Sequence, residues 1–177
     1  MAKIRLATVW LSGCSGCHMS FLDQDERILE LAGKAELVYS PIADVKDFPE
    51  NVDVTLVEGA VGNEEQLELL KKIRRNSRVL VALGDCAVNG NVTALRNSLR
   101  NSDEEVLRRA YVENASLNQG VPEQVPRLLK RVLALNEVVK VDVYVPGCPP
   151  NAELISQVLN ELLEGRAPVL QGRFKYG

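Results

Sequence analysis

The chain has 177 residues, enough for one domain with a full core and too few for two of ordinary size. Its 46% hydrophobic and 25% charged residues give a globular composition, which excludes disordered, collagen-like and low-complexity chains. The net charge of -3 comes with no clustered stripe of Lys and Arg, which argues against nucleic acid, and no run of about 18 apolar residues is present to span a membrane.

Met1 to Leu11 lacks a long apolar segment and a twin-arginine pair, so it reads as the first strand of a cytoplasmic protein. Arg5 to Leu11 is that strand, apolar and partly β-branched, stopped at Ser12-Gly13. Apolar residues at helical spacing predict a helix over Met19 to Leu31, with Gly33 as its C-terminal stop. Glu36 to Ser40 and Asp53 to Val57 read as the second and third strands, stopped by Pro41 and Glu58-Gly59. Glu64 to Arg75 reads as a helix with its basic residues near the C-terminal end, where they suit the dipole. Val79 to Leu83 is the fourth strand, stopped by Gly84. Short helices are expected near Thr93 to Arg100 and Asp103 to Tyr111, then a loop at Asn118-Gln119-Gly120. Pro126 to Leu135 holds the richest basic stretch, Arg127 to Arg131, and is assigned as a helix. Lys140 to Val145 is the fifth strand, Ala152 to Leu163 the last helix, and an irregular tail begins at about residue 165.

Strands alternating with helices predict a flavodoxin-like α/β fold. The expected architecture is one domain over 1–177, with a doubly wound parallel five-stranded sheet in the order 2-1-3-4-5.

Four cysteines in a cytoplasmic chain of this size suit metal binding or catalysis better than disulfides. Each follows the end of a strand: Cys14 and Cys17 the first, Cys86 the fourth, Cys148 the fifth. In an open parallel sheet the strand C-termini share one edge, so residues far apart in sequence converge there. Four thiolates can hold an iron–sulfur cluster or a zinc ion. Only one close pair exists, and Cys148 precedes Pro149-Pro150, which favours a cluster. Gly13, Gly16, Gly84, Gly90 and Gly147 would let backbone N–H groups approach its sulfurs. The Ser12 to Cys17 loop also sits where a flavodoxin binds phosphate, so a flavin carrier competes.

Glu58 falls on the same edge, as a proton-relay or interface carboxylate or as a residue favoured by a helix N-terminus. His18, the one histidine, is a candidate donor to the site, an interface residue or a solvated loop residue. Trp10 reads as a core or interface filler, and Asp85 as a turn cap.

Four blocks in this order resemble the small subunit of [NiFe] hydrogenases, most closely the soluble NAD-reducing type. They are Leu11-Ser12-Gly13-Cys14-Ser15-Gly16-Cys17, Val57-Glu58-Gly59-Ala60, Gly84-Asp85-Cys86-Ala87 and Pro146-Gly147-Cys148-Pro149-Pro150. The resemblance implies that Cys14, Cys17, Cys86 and Cys148 hold one proximal [4Fe-4S] cluster. It implies a large subunit with a Ni-Fe centre, and diaphorase subunits with FMN and further Fe-S clusters. With no cysteine after Cys148, this chain is expected to hold a single cluster and to pass electrons to another subunit. The related complex I-like quinone reductase subunit usually has adjacent cysteines in the first block, whereas two residues separate Cys14 and Cys17. Asn89-Gly90 stands where many relatives have a glycine pair. Alone, such a chain has no active site and exposes an apolar face that a partner covers.

Overall fold

The computed structural model describes residues 3–170. Its centre is a five-stranded sheet built from β1 (Ile4–Trp10), β2 (Ala35–Tyr39), β3 (Val52–Glu58), β5 (Ser77–Leu83) and β7 (Val143–Val145). Their order is β2-β1-β3-β5-β7 and every pairing is parallel. Counted within this sheet, that is the expected 2-1-3-4-5.

Strand residues alternate between two apolar layers, as a sheet covered on both faces requires. Leu6, Val54, Leu56, Val81 and Val145 face Phe21 of α1 (Gly16–Leu22) and the apolar stripe of α6 (Ala152–Leu163). Ala7, Val9, Val57, Leu80 and Ala82 face Leu70 and Ile73 of α3 (Glu64–Asn76). Both long helices start on an asparagine cap. Asn63 Oδ1 accepts the Gln66 N–H and Asn151 Oδ1 the Leu154 N–H.

Three expectations are corrected. The helix expected over Met19 to Leu31 is two, α1 and α2 (Arg27–Lys34), parted at Asp25 with φ 52°. Gly33 therefore lies inside α2, which ends where Ala35 turns extended into β2. The expected helix at Pro126 to Leu135 is a strand, β6 (Leu128–Leu133), antiparallel to β4 (Val61–Asn63). Its apolar spacing suits either structure, and the β4 backbone decides. The segment near Thr93 to Arg100 is a 3-10 helix, Asn91–Ser98. After it α5 (Ser102–Arg108) runs on into a π turn over Arg109–Glu113.

The irregular tail is described as far as Leu170; its remainder, 171–177, lies outside the described residues. Trp10, Glu58, Leu83 and Val145 pair in one row across the sheet. This row is the C-terminal edge, and all four cysteines follow it.

Candidate metal centre

Cys14 lies in the loop after β1 and Cys17 in the first turn of α1. Cys86 lies in the first turn of α4 (Asp85–Asn89) and Cys148 in the loop after β7. Cys17 and Cys86 are buried; Cys14 and Cys148 are exposed, and all four are free thiols.

Backbone bridges hold these loops against one another. Ser12 and Ala60 exchange two N–H···O bonds at 2.9 and 2.8 Å. Gly59, at φ 89°, permits this, because a Cβ there would stand 2.7 Å from the Ser12 carbonyl oxygen. Across the edge, Gly84 N–H donates to Val145 O, Asp85 N–H donates to Gly147 O, and Gly147 N–H donates to Asp85 Oδ1 at 2.7 Å. Asp85 thus ties the Cys86 turn to the Cys148 loop, which is more than capping its own turn. Gly84 brings the two sides together, since a Cβ on it would lie 2.2 Å from Cys17 Sγ.

Glu58 is the last residue of β3 and only 3% exposed. Its Oε2 accepts the His18 N–H at 2.9 Å and lies 2.5 Å from His18 Nδ1. The dipole reading of Glu58 does not apply, because β4 rather than a helix comes next. His18 is buried, so the solvated reading fails too. Its ring meets Trp10 edge-on with centroids 5.1 Å apart. Its Nε2 is buried without a hydrogen-bond partner. Trp10 itself is partly exposed at the rim.

Two polar neighbours escaped the sequence reading. Asn91 Nδ2 donates to Cys148 Sγ at 3.3 Å, and Thr93 stands against Cys86, where its polar groups favour the thiolate. The only sequence signal for them is the Asn89-Gly90-Asn91 run, which reads as a turn.

Burial pushes the Cys17 thiol far above its ordinary range, and the charges of Glu58, Cys86, Cys14 and Cys148 push it further. Burial also raises Cys86, as do Cys148 and Cys14, against the Thr93 hydrogen bonds that lower it. The four sulfurs therefore feel one another. A site that gathers four thiols and resists ionisation of the two buried ones is matched by a cationic group that neutralises them. The donor set thus fits an iron–sulfur cluster. Among the described residues, no three His, Cys, Asp or Glu side chains are close enough to hold a single ion.

The family model for the NADH ubiquinone oxidoreductase 20 kDa subunit matches residues 14–162. The chain belongs to that family. It is 43% identical over 170 residues to the delta subunit of the NAD-reducing hydrogenase HoxS of Cupriavidus necator, covering 93% of this chain and 80% of that one. It is 39% identical over 170 residues to a subunit of the F420-non-reducing hydrogenase of Methanocaldococcus jannaschii, of which it spans 58% while 94% of this chain is covered. A chain in the crystal structure of a H2-reduced NAD+-reducing [NiFe]-hydrogenase superposes with a TM-score of 0.93 at 42% identity, over 99% of this chain and 100% of that one. The chain is a [NiFe]-hydrogenase small-subunit homologue, as its four sequence blocks implied.

Proposed function

We propose that this chain is the electron-carrying small subunit of a cytoplasmic NAD-reducing [NiFe] hydrogenase. The observation that carries the reading is the convergence of Cys14, Cys17, Cys86 and Cys148 on one sheet edge. These four residues would hold one [4Fe-4S] cluster, which when bound supplies one-electron transfer and no bond chemistry. The spacing along the chain, one close pair at Cys14 and Cys17 with Cys86 and Cys148 each single, supports a cluster over zinc, whose structural sites usually show two close pairs.

The chain's own residues position, insulate and charge this site. Glu58 holds the Cys17 turn through the His18 N–H and is the candidate proton-relay carboxylate beside the thiols. Asp85 fixes the distance between the Cys86 and Cys148 loops. Exposed Cys14 and Cys148 mark the side left open to partners. Met19 and Leu22 of α1, the helix that carries Cys17, and Val92 and Leu95 of the 3-10 helix, which touches Cys148, are also exposed, as suits a covered face.

In this reading a large subunit bearing a Ni-Fe centre covers that face. Diaphorase subunits with FMN and further Fe-S clusters take the electrons on to NAD. The near-complete superposition on a chain of a NAD+-reducing enzyme supports this partner set. No helix among the described residues is long and apolar enough to cross a membrane.

The test is to tag the chain in its native host, purify it without oxygen, and measure iron, acid-labile sulfide, nickel and zinc. Nickel with an excess of iron and sulfide is expected. Iron and sulfide without nickel would point to a quinone-reducing complex or a lone ferredoxin-like carrier instead. Zinc alone would refute electron transfer.

A further inference from the structure

The 3-10 helix Asn91–Ser98 is eight residues long, at least double the usual run of about three to four for this structure. Its far end is braced. The Arg96 guanidinium donates to Ser102 Oγ at 2.7 Å, to Leu129 O at 2.8 Å and to Gly62 O at 3.2 Å. Asn97 closes a two-way bridge to Val132, accepting its N–H and donating to its carbonyl, both at 2.8 Å. The β4–β6 ribbon, which adds nothing to the parallel sheet, thus grips this helix.

The near end of the helix meets the thiols. Asn91 sits at φ 34°, with its N–H held by Asn89 Oδ1 at 2.9 Å, and this backbone setting aims its amide at Cys148 Sγ. Thr93 reaches Cys86. The Thr93 hydroxyl donates its one proton to Gly90 O at 2.5 Å, which ties the start of the helix to the turn after Cys86. The helix start thus brings a donor to the Cys148 sulfur and Thr93 against Cys86, while a carboxylate, Glu58, faces Cys17.

We infer that Asn91 is a potential-setting residue, a donor that the braced 3-10 helix holds at Cys148 to stabilise the more negative, reduced state of the group bound there. The inference rests on the cluster proposed above. A hydrogen bond to a sulfur whose charge grows on reduction favours the reduced form. Removing it lowers the midpoint potential. Replacing it by a carboxylate lowers the potential further.

The experiment uses the whole purified complex and an anaerobic redox titration followed by electron paramagnetic resonance. The signal of this site is the one lost in a Cys148→Ala complex. Asn91→Gly keeps the positive φ without strain and deletes the donor. It is expected to make reduction about tenfold less favourable, a fall of about 59 mV for one electron. Asn91→Asp, of nearly the same shape, is expected to fall further at undiminished iron content. A signal present in both variants at the unchanged or a higher potential overturns the inference and leaves the cluster reading intact. If Cys148→Ala removes no signal and no iron, the cluster reading fails and the inference falls with it.

Discussion

At the N-terminal end of the sheet, Asp53 accepts the Arg5 N–H and Asp142 the Leu80 N–H, each at 2.9 Å. At the C-terminal end, Glu58 accepts the His18 N–H at 2.9 Å and Asp85 the Gly147 N–H at 2.7 Å. The device is the same at both ends, a carboxylate stitching neighbouring backbone into place. Its setting differs. The Asp53 and Asp142 side chains are 33% and 24% exposed and sit beside Arg78 and Arg74. Glu58 and Asp85 are 3% and 2% exposed. Glu58 also faces Cys17, a group that ionises to an anion. A stitch meant for stability alone belongs at the first end, where water and arginine keep its charge cheap. Carboxylates buried beside four thiols raise the cost of the fold, and the site they build accounts for them.

The largest effect that would test this contrast is at Gly84. A methyl group there meets Cys17 Sγ, and φ 83° strains any other residue. Gly84→Ala is expected to lose most of the iron and sulfide from the purified complex. Gly33, in α2 with open space around it, is the control. Gly33→Ala should keep the iron and add about 0.5–1 kcal/mol of stability. If both variants keep full iron, the close approach at the C-terminal edge is not what shapes the site.

Next comes a direct comparison of stitches. Glu58→Ala leaves the backbone N–H and the Nδ1 of a 5% exposed His18 without their partner and should cost about 3 kcal/mol. Asp53→Ala removes a partly hydrated group and should cost about 1 kcal/mol. Urea midpoints of the two purified variants measure the gap. Equal losses would erase the distinction between the ends.

The same contrast explains what could be read from sequence. The parallel strands are legible because each is a short apolar run closed by glycine or proline, and the cysteines directly follow those closures. The pairing of Glu58 with His18 is not legible, since the two are 40 residues apart and only the strand order brings them to one edge. Leu128 to Leu133 fails for another reason. Its spacing fits a helix, but β4 and the side chains of Arg96, Asn97 and Ser102 take up its backbone groups. The break at Asp25 is equally hidden, because the apolar period runs on across it while the chain turns back towards β2. Local patterning locates elements, whereas long-range hydrogen bonds decide segments of ambiguous period.

The smallest expected effect is at Asp142 and depends on pH. Burial works to raise its pKa, but hydrogen bonds from Arg74 and the Leu80 N–H, with the charges of Arg74 and Lys140, outweigh it and hold the pKa below the ordinary carboxylate value. The folded value is therefore the lower one. The folded state then binds fewer protons than the unfolded chain, so the contribution is fully present above the unfolded pKa of about 3.9 and is lost as pH falls through the folded value. Asp142→Asn should cost about 1 kcal/mol at pH 6, because the side chain is partly hydrated and its ion pair screened. That cost should shrink towards zero as the pH drops below both the unfolded and the folded value. Urea midpoints of wild type and variant at several pH values give the difference directly. A difference that persists unchanged at low pH would mean that Asp142 acts by shape and packing, and the N-terminal stitches would no longer be electrostatic.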